Sequence, residues 1–314
     1  GAGPAGLSCA HRLAMLGHDV IVFESKSKPG GLNEYGIAKY KLTDDFAQKE
    51  VDFLLGIGGI TIRHGHVLGE NLSLKALHDT YDAVFLGIGL GASRKLGLVG
   101  EAAPGLLAAV DYIAELRQAK DLSKLPVAPR AIVIGAGNTA IDMAVQMVRL
   151  GAQEVSLVYR RDAASMSATG HEQHIAKDHG VRMITWAAPQ QVLLDAAGIV
   201  TGMRFERTAM VDGKLRGTGE TFEIAADAIF KAIGQTMNDD ALQGALASEL
   251  QRDGDRIHVD DALRTCMPGI YAGGDCVAPG QDLTVQAVQH GKIAAATIHG
   301  DLLAATSNLK AEAA

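Results

Sequence analysis

Apolar positions along this chain switch repeatedly between two periods. Leu7, Ala10, Leu13 and Leu16 fall at helical spacing, and Gly17 follows, the residue type that most readily closes a helix. "DVIVFES" then forms a short unbroken apolar run, the pattern of a parallel strand buried on both faces. "YDAVFLGIG", "RAIVIGAG", "EVSLVYRR", "DAIFKAIGQ" and "GIYAGGD" repeat it, most of them running into glycine. Strands alternating with helices throughout predict βαβ units around parallel sheet, an α/β fold.

The glycine punctuation occurs twice. "GAGPAG" opens the chain, and "GAGNTA" begins at Gly135, directly behind the apolar strand 131–134. In the first turn Gly1 permits a tight bend, Gly3 lets backbone approach a pyrophosphate, and Gly6 allows helix and strand to pack closely. Pro4 and Ala5 start the helix between them, whose unpaired N–H groups and partial positive charge suit phosphate. Glu24 ends the next strand, eighteen residues past Gly6, where a carboxylate can bond ribose hydroxyls.

In the second turn Gly135, Gly137 and Ala140 take the three roles, with Asn138 and Thr139 between them. Twenty residues past Ala140 stand Arg160 and Arg161 in place of an acid. Arginines there suit the 2′-phosphate of NADP, or else form a solvated pair at a strand end. Further on, Gly274 and Asp275 end an apolar strand. That carboxylate either serves a flavin or caps a turn. Thr284 reads as the N-cap of an apolar-striped helix, and that helix N-terminus, with Val285 in its first turn, suits the charge a flavin ring gains on reduction. The sequence thus predicts two Rossmann-like dinucleotide-binding domains. "DLSKLPVAPR", with its two prolines, reads as a linker into the second, and "SNLKAEAA" as a frayed tail.

Composition narrows the classes. Hydrophobic residues make up 47% of the 314 and charged residues 21%, which excludes a disordered chain. A net charge of -7, with no basic run beyond a dipeptide, argues against a nucleic-acid partner. No run of 18 apolar residues predicts a membrane span, and no signal-peptide pattern is present, so a cytoplasmic location is expected. The three cysteines, Cys9, Cys266 and Cys276, contain no C-x-x-C pair, so neither a thioredoxin-reductase disulfide nor an Fe–S or zinc run is expected. His171 and His174 in "GHEQH" miss the H-E-x-x-H spacing and read as a solvated helix face. Lys231 is the only charge inside the strand of "FKAIGQ", so it must find a partner or snorkel outward, and a role near a cofactor is a further hypothesis.

In order, "GAGPAGL…FES…GGLNEYGI", "GAGNTAIDMA…VYRR", "FKAIGQ" and "YAGGD…TVQAVQHGKIAA" resemble the FAD- and NAD(P)H-binding flavoprotein module of glutamate synthase small subunits. "GGLNEYGI", "YDAVFLGIGLG" and "FKAIGQ" are most similar to its branch in bacterial dihydropyrimidine dehydrogenase, the PreT-type subunit. The resemblance implies an FAD domain, residues 1–100 and 236–314, interrupted by an inserted NAD(P)H domain, residues 101–235. It implies FAD contacts at Gly1, Gly3, Gly6, Glu24, Gly31, Leu32, Gly89 and Asp275, and at Lys41, which stands in "KYKL" where relatives commonly carry arginine. It implies a nicotinamide cofactor lined by Gly137, Asn138, Thr139, Arg160, Arg161 and Gly234. Ser167 replaces an arginine of some NADPH-using relatives, so NADH and NADPH both stay open.

The module's relatives pass hydride directly from nicotinamide to FAD, so no catalytic side chain is expected. Electrons then reach Fe–S clusters and an FMN-containing catalytic subunit that reduces uracil or thymine. The clusters belong to an N-terminal domain or to that partner. Neither such a domain nor a strand precedes Gly1 here, so the sequence is expected to be a piece of a longer chain, or a reading frame opened late, and to bind FAD poorly as it stands. The alternatives are a glutamate synthase small subunit, or a non-catalytic nicotinamide-nucleotide sensor or scaffold. A flavin-directed helix at "TVQAVQHGKIAA" speaks against the sensor.

Overall fold

In the computed structural model, which describes residues 1–312, the chain leaves its first unit twice and returns twice. The first unit comprises Gly1–Glu34, Leu42–Ala92 and the chain from Thr236 onward; the second comprises Tyr35–Lys41 and Ser93–Gln235. The α/β class is as the periodicity predicts.

The first unit carries two parallel strand pairs. Val20–Glu24 pairs with Ile60–His64, in register from Val20 opposite Ile60 to Glu24 opposite His64. Ile270–Ala272 pairs with Val84–Leu86. Residues 1 and 2 touch both pairs. The Ala2 N–H donates to Glu24 Oε2 at 2.7 Å, while a Cβ on Gly1 would lie 2.6 Å from the Gly87 carbonyl oxygen. Two helices cross beside them. Pro4–Met15 begins with proline, whose missing N–H costs nothing at that position, and it ends at Leu16 before Gly17 (φ 87°). Thr284–Glu312 runs against it. Leu13, Val84, Leu86, Ile257, Ile270 and Ile298 form the core here.

The helix crossing requires glycine. A Cβ on Gly291 would fall 2.7 Å from Cys9 N and 2.8 Å from Ser8 Cβ, and closer still to the Ala5 carbonyl oxygen. The Ser8 hydroxyl donates to the Val288 carbonyl at 2.8 Å across the same contact. One residue earlier, buried His290 accepts the Gly274 N–H on Nδ1 at 3.1 Å. Burial holds that imidazole below its ordinary pKa.

The second unit is a three-layer block. Its five-stranded parallel sheet has the order Leu106–Ala108, Ala228–Ala232, Arg130–Gly135, Glu154–Val158, Arg182–Ile184. Helices Ala109–Gln118 and Asn138–Leu150 cover one face through Ile113, Ile141, Met143, Leu157 and Phe230. On a second core of Ile132, Ile134, Met203, Phe205 and Ile229 lies an antiparallel sheet, Ala187–Leu194, Val200–Val211 and Lys214–Ala225. That sheet departs from the expected βαβ alternation. Its strands interleave charged residues and Gly202 and Gly217 with apolar ones, so no unbroken apolar run announces them. "DLSKLPVAPR" is a connection inside this unit, pinned where the Tyr112 hydroxyl donates to the Pro126 carbonyl at 2.8 Å. The tail read as frayed is helical to Glu312, and Ala313 and Ala314 lie outside the described residues.

Tyr35–Lys41 belongs to the second unit because polar groups of Asn138–Leu150 hold it. Lys41 Nζ lies 2.6 Å from Asp142 and 2.7 Å from Glu172, Tyr40 donates to Asp142 at 3.1 Å, and the Lys39 N–H donates to Gln146 Oε1 at 3.1 Å. Arg149 lies over the Tyr40 ring at 4.5 Å. Burial works against the Lys41 charge, but the two carboxylates outweigh it and hold the ammonium above its usual range.

Two predictions follow from the crossing. Gly291→Ala must push backbone apart and destabilises by about 1–3 kcal/mol, whereas Gly300→Ala, on the same helix with open space around it, stabilises by about 0.5–1 kcal/mol; paired denaturant melts measure both. For His290 the folded pKa is depressed, so its contribution is complete above the unfolded value of about 6.5 and is lost as pH falls below it. The thermal midpoint of the protein therefore drops between neutral and mildly acidic pH, and it drops less steeply in His290→Gln.

Candidate functional site

The residues singled out in the first unit converge on one turn. Gly3 precedes helix Pro4–Met15 as its N-cap with extended backbone (φ -77°, ψ 179°), and no side chain caps that end. A Cβ on Gly3 would meet only the Gly31 Cα, at 3.8 Å. A Cβ on Gly31 (φ 55°) would collide with Gly3 at 2.7 Å. The two glycines therefore leave a side-chain-free cradle in front of the helix N-terminus. Gly6 cannot carry a Cβ without striking the Gly1 carbonyl, which is the helix–strand approach expected of it.

Glu24 is buried at the strand end. Its Oε2 accepts from the Ala2 N–H, and its Oε1 accepts from the Lys26 N–H at 2.8 Å and Ser25 Oγ at 3.2 Å. Oε2, with one donor, keeps an acceptor site for a ligand hydroxyl. Gly274 (φ 80°) approaches the helix start, since a Cβ on it would lie 2.9 Å from the Ala5 Cβ. Beside it, half-buried Asp275 makes no side-chain hydrogen bond to the described residues. Burial, and next the charge of Asp282, push its carboxyl up, with Arg256 opposing. A half-buried carboxylate without a donor is the state a ligand hydroxyl would relieve.

Thr284 is the first residue of its helix rather than the cap. Leu283 fills that position by accepting the Ala287 N–H at 3.0 Å, while the Thr284 hydroxyl donates to Asn33 Oδ1 at 3.2 Å. A boundary one residue off is invisible to a pattern of residue types. Val285, 75% exposed, and Leu32, 42% exposed, offer apolar surface on the segments this bond joins. Gly89 (φ 61°) follows Val84–Leu86 with open space around it. Lys41 belongs to the second unit, where Asp142 and Glu172 pair with it.

The second unit assembles the other set. Gly135 (φ 153°) ends its strand against the Ala232 carbonyl so tightly that a Cβ would overlap it, and that Cβ would also stand 3.2 Å from Ala140. Gly137 is the uncapped N-cap of Asn138–Leu150, with Asn138 exposed and Thr139 half-buried in its first turn. Ser167 faces this turn, its hydroxyl bonded to the Ala136 carbonyl at 3.4 Å. Arg160 and Arg161 stand exposed just past Glu154–Val158, fixed by their carbonyls, which accept from Thr208 Oγ1 at 2.7 Å and the Trp186 N–H at 3.1 Å. Neither guanidinium forms an ion pair among the described residues. Gly234 (φ 96°) packs beside Arg94.

Lys231 finds a protein partner. Its Nζ lies 2.7 Å from Glu101, with both side chains 14% exposed. Burial alone would raise the Glu101 carboxyl, but bonds from Lys231 and the Leu96 and Gly97 N–H groups hold it below its ordinary value. Sequence reasoning missed His290, Asn33 and Asp142, whose partners lie 16 to 251 residues away along the chain. Among the described residues no three His, Cys, Asp or Glu side chains form a metal-ion arrangement, and no helix is long and apolar enough to cross a membrane.

Both cradles fit a dinucleotide: a Cβ-free approach to an uncapped helix N-terminus, with a strand-end carboxylate in one and two strand-end guanidiniums in the other. The glutamate synthase (NADPH) small chain of Escherichia coli (strain K12) is 33% identical over 313 residues, 94% of this chain and 66% of that one. The NADP(+)-dependent formate dehydrogenase subunit beta of Moorella thermoacetica is 34% identical over 310 residues, 95% of this chain and 42% of that one. The chain thus spans less than two thirds of either relative. Mycobacterium tuberculosis FprA, solved in complex with NADPH, shares the fold at a TM-score of 0.78 and 19% identity, over 98% of this chain and 85% of that one. The family described as pyridine nucleotide-disulphide oxidoreductase matches residues 1–291. The chain belongs to the pyridine nucleotide-disulphide oxidoreductase family.

Proposed function

We propose that this chain is the electron-input module of a multi-subunit oxidoreductase, binding FAD in its first unit and NAD(P)H in its second. The observation that carries the reading is the pair of Cβ-free, uncapped helix N-termini at Gly3 and Gly137, each backed by a strand-end ligand of different charge. FAD, when bound, supplies a hydride acceptor for the reduced nicotinamide. The chain's own residues bind and orient. Glu24 accepts from ribose hydroxyls, Gly3 and Gly31 clear room for a pyrophosphate, and Asp275 accepts from a hydroxyl of the flavin's side chain. The N-terminus of Thr284–Glu312 presents partial positive charge, and Leu32 and Val285 offer apolar surface to a ring. No side chain needs to move a proton in such a transfer. The family's disulfide chemistry finds no support in this chain, since Cys9 and Cys276 are buried, Cys266 is exposed and all three are free thiols.

For the second unit we infer that Arg160 and Arg161 read a 2′-phosphate, because both are exposed at the strand end without ion pairs among the described residues. For the acceptor we infer a separate FMN- and Fe–S-containing subunit that reduces uracil or thymine, a reading carried by "GGLNEYGI", "YDAVFLGIGLG" and "FKAIGQ". A second reading, the small subunit of glutamate synthase, is favoured by the relative of that name at 33% identity. A non-catalytic nucleotide sensor has no use for Asp275 and the helix beside it.

Anaerobic mixing of the full-length protein with NADPH or NADH tests the module. Loss of the oxidised-flavin absorption band is expected, with NADPH the better donor. Arg160→Gln with Arg161→Gln should raise the NADPH requirement about tenfold to a hundredfold and leave NADH unchanged. A parallel change for both donors removes the 2′-phosphate role, and no bleaching with either removes the module. Recovery of flavin colour with a pyrimidine-reducing subunit plus uracil, against recovery with a glutamate synthase large subunit plus its substrates, separates the two acceptors. Asp275→Ala should weaken flavin binding about tenfold while the flavin-free protein melts no lower than the parent, since the carboxylate has no protein donor to lose. A lowered flavin-free melting point would make Asp275 structural instead.

A further inference from the structure

A cavity lies within the second unit, at the other end of the parallel sheet from its glycine turn. Its volume is about 320 Å³, the lower end of the range for small-molecule sites. Arg130, Glu154 and Arg182, each the first residue of a parallel strand, stand at its mouth, whereas Gly135 closes the far end of Arg130–Gly135, roughly 17 Å away at the rise of a strand. The cavity is therefore separate from the proposed nicotinamide site.

Its lining holds unspent positive charge. Arg130 is neutralised by Asp227, bonded through Nε at 3.1 Å and Nη2 at 2.6 Å, and Glu223 is neutralised by Arg204 at 2.7 Å. Arg182 and Arg207 line the same space and form no ion pair among the described residues. Against them stands only Glu154, so the balance favours an anion. Arg207 is preorganised, its guanidinium 4.2 Å from the centroid of the Phe222 ring, and Phe222 stacks in turn on fully buried Phe205 at 5.8 Å. Ser156, 7% exposed, also lines the cavity, and its hydroxyl makes no hydrogen bond to the described residues. That hydroxyl is still reached by solvent, so it can donate to a ligand beside two guanidiniums that form no ion pair among the described residues. Ile184 and Phe222 provide an apolar wall.

We propose that this cavity binds a small organic anion. Its carboxylate or phosphate sits between Arg182 and Arg207 and accepts from Ser156, and its apolar body lies against Ile184 and the edge of the Phe222 ring.

Calorimetric titration of the protein, with FAD and NADP+ saturating so that both glycine turns are filled, tests this at constant ionic strength. The probes are phenyl phosphate, benzoate and orthophosphate. Saturable one-to-one binding is expected for phenyl phosphate or benzoate, about tenfold tighter than for orthophosphate, with about a tenfold loss in Arg182→Gln and in Arg207→Gln and a few-fold loss in Ser156→Ala. Arg207→Lys, which keeps charge but loses the stacked plane, should fall between. Flavin reduction by NADPH should be unchanged in Arg182→Gln, and that exposed position keeps the test valid if Arg207→Gln misfolds. Absence of saturable binding, equal affinity for orthophosphate, or binding indifferent to both arginines would each overturn the proposal. So would loss of partner-subunit assembly in the arginine variants without any small-anion binding, which would assign the cavity to an acidic side chain of a partner.

Discussion

Everything in the first unit depends on how closely bare backbone can approach the helix Pro4–Met15. Glycines at 1, 6, 31, 274 and 291 bring four separated stretches of chain against its start at distances no Cβ would permit, and Gly87 comes almost as close, 3.1 Å from Gly6 N for an added Cβ. Proline at the first helical position and glycine as its N-cap leave that end without a side-chain cap. The same absence of side chains that allows dense packing therefore leaves an unsatisfied, partly positive helix end facing open space. Packing and anion affinity are here two results of a single constraint.

The second unit repeats this device with opposite polarity at the strand end. Glu24 is buried and already holds the chain together through the Ala2 and Lys26 N–H groups, so its charge is fixed in place whether or not a ligand is bound. Arg160 and Arg161 are exposed and held only through their carbonyls, so their guanidiniums stay available. One strand end thus carries a carboxylate acting as a structural brace, and the other a pair of exposed cations.

How much of this the sequence disclosed follows from where each signal lies. Strands such as Arg130–Gly135 and Glu154–Val158 are buried on both faces and write an unbroken apolar run, so they are legible. Lys214–Ala225 is mostly exposed and studded with glycine and charge, and it looks like a loop until Val200–Val211 pairs with it. The short strand Ile60–His64 is half exposed and equally silent. The glycine turns are local, and the structure sets them where the spacing put them. Asp275 and Gly274 are local too, but the support of Gly274 is not: His290 reaches its N–H from the next helix. The partners of Lys41 were silent in the sequence, because Asp142 and Glu172 lie 101 and 131 residues onward by number.

The excursion Tyr35–Lys41 has a consequence for how such a protein can be cut and recombined. The chain passes from one unit to the other four times, at 34/35, 41/42, 92/93 and 235/236. A gene fragment encoding only 93–235 would thus lack seven residues of its own fold, leaving Asp142 without its cation and Gln146 without the Lys39 amide. Transplanting the mid-chain unit into another scaffold, by evolution or by design, must carry that short remote peptide along with it.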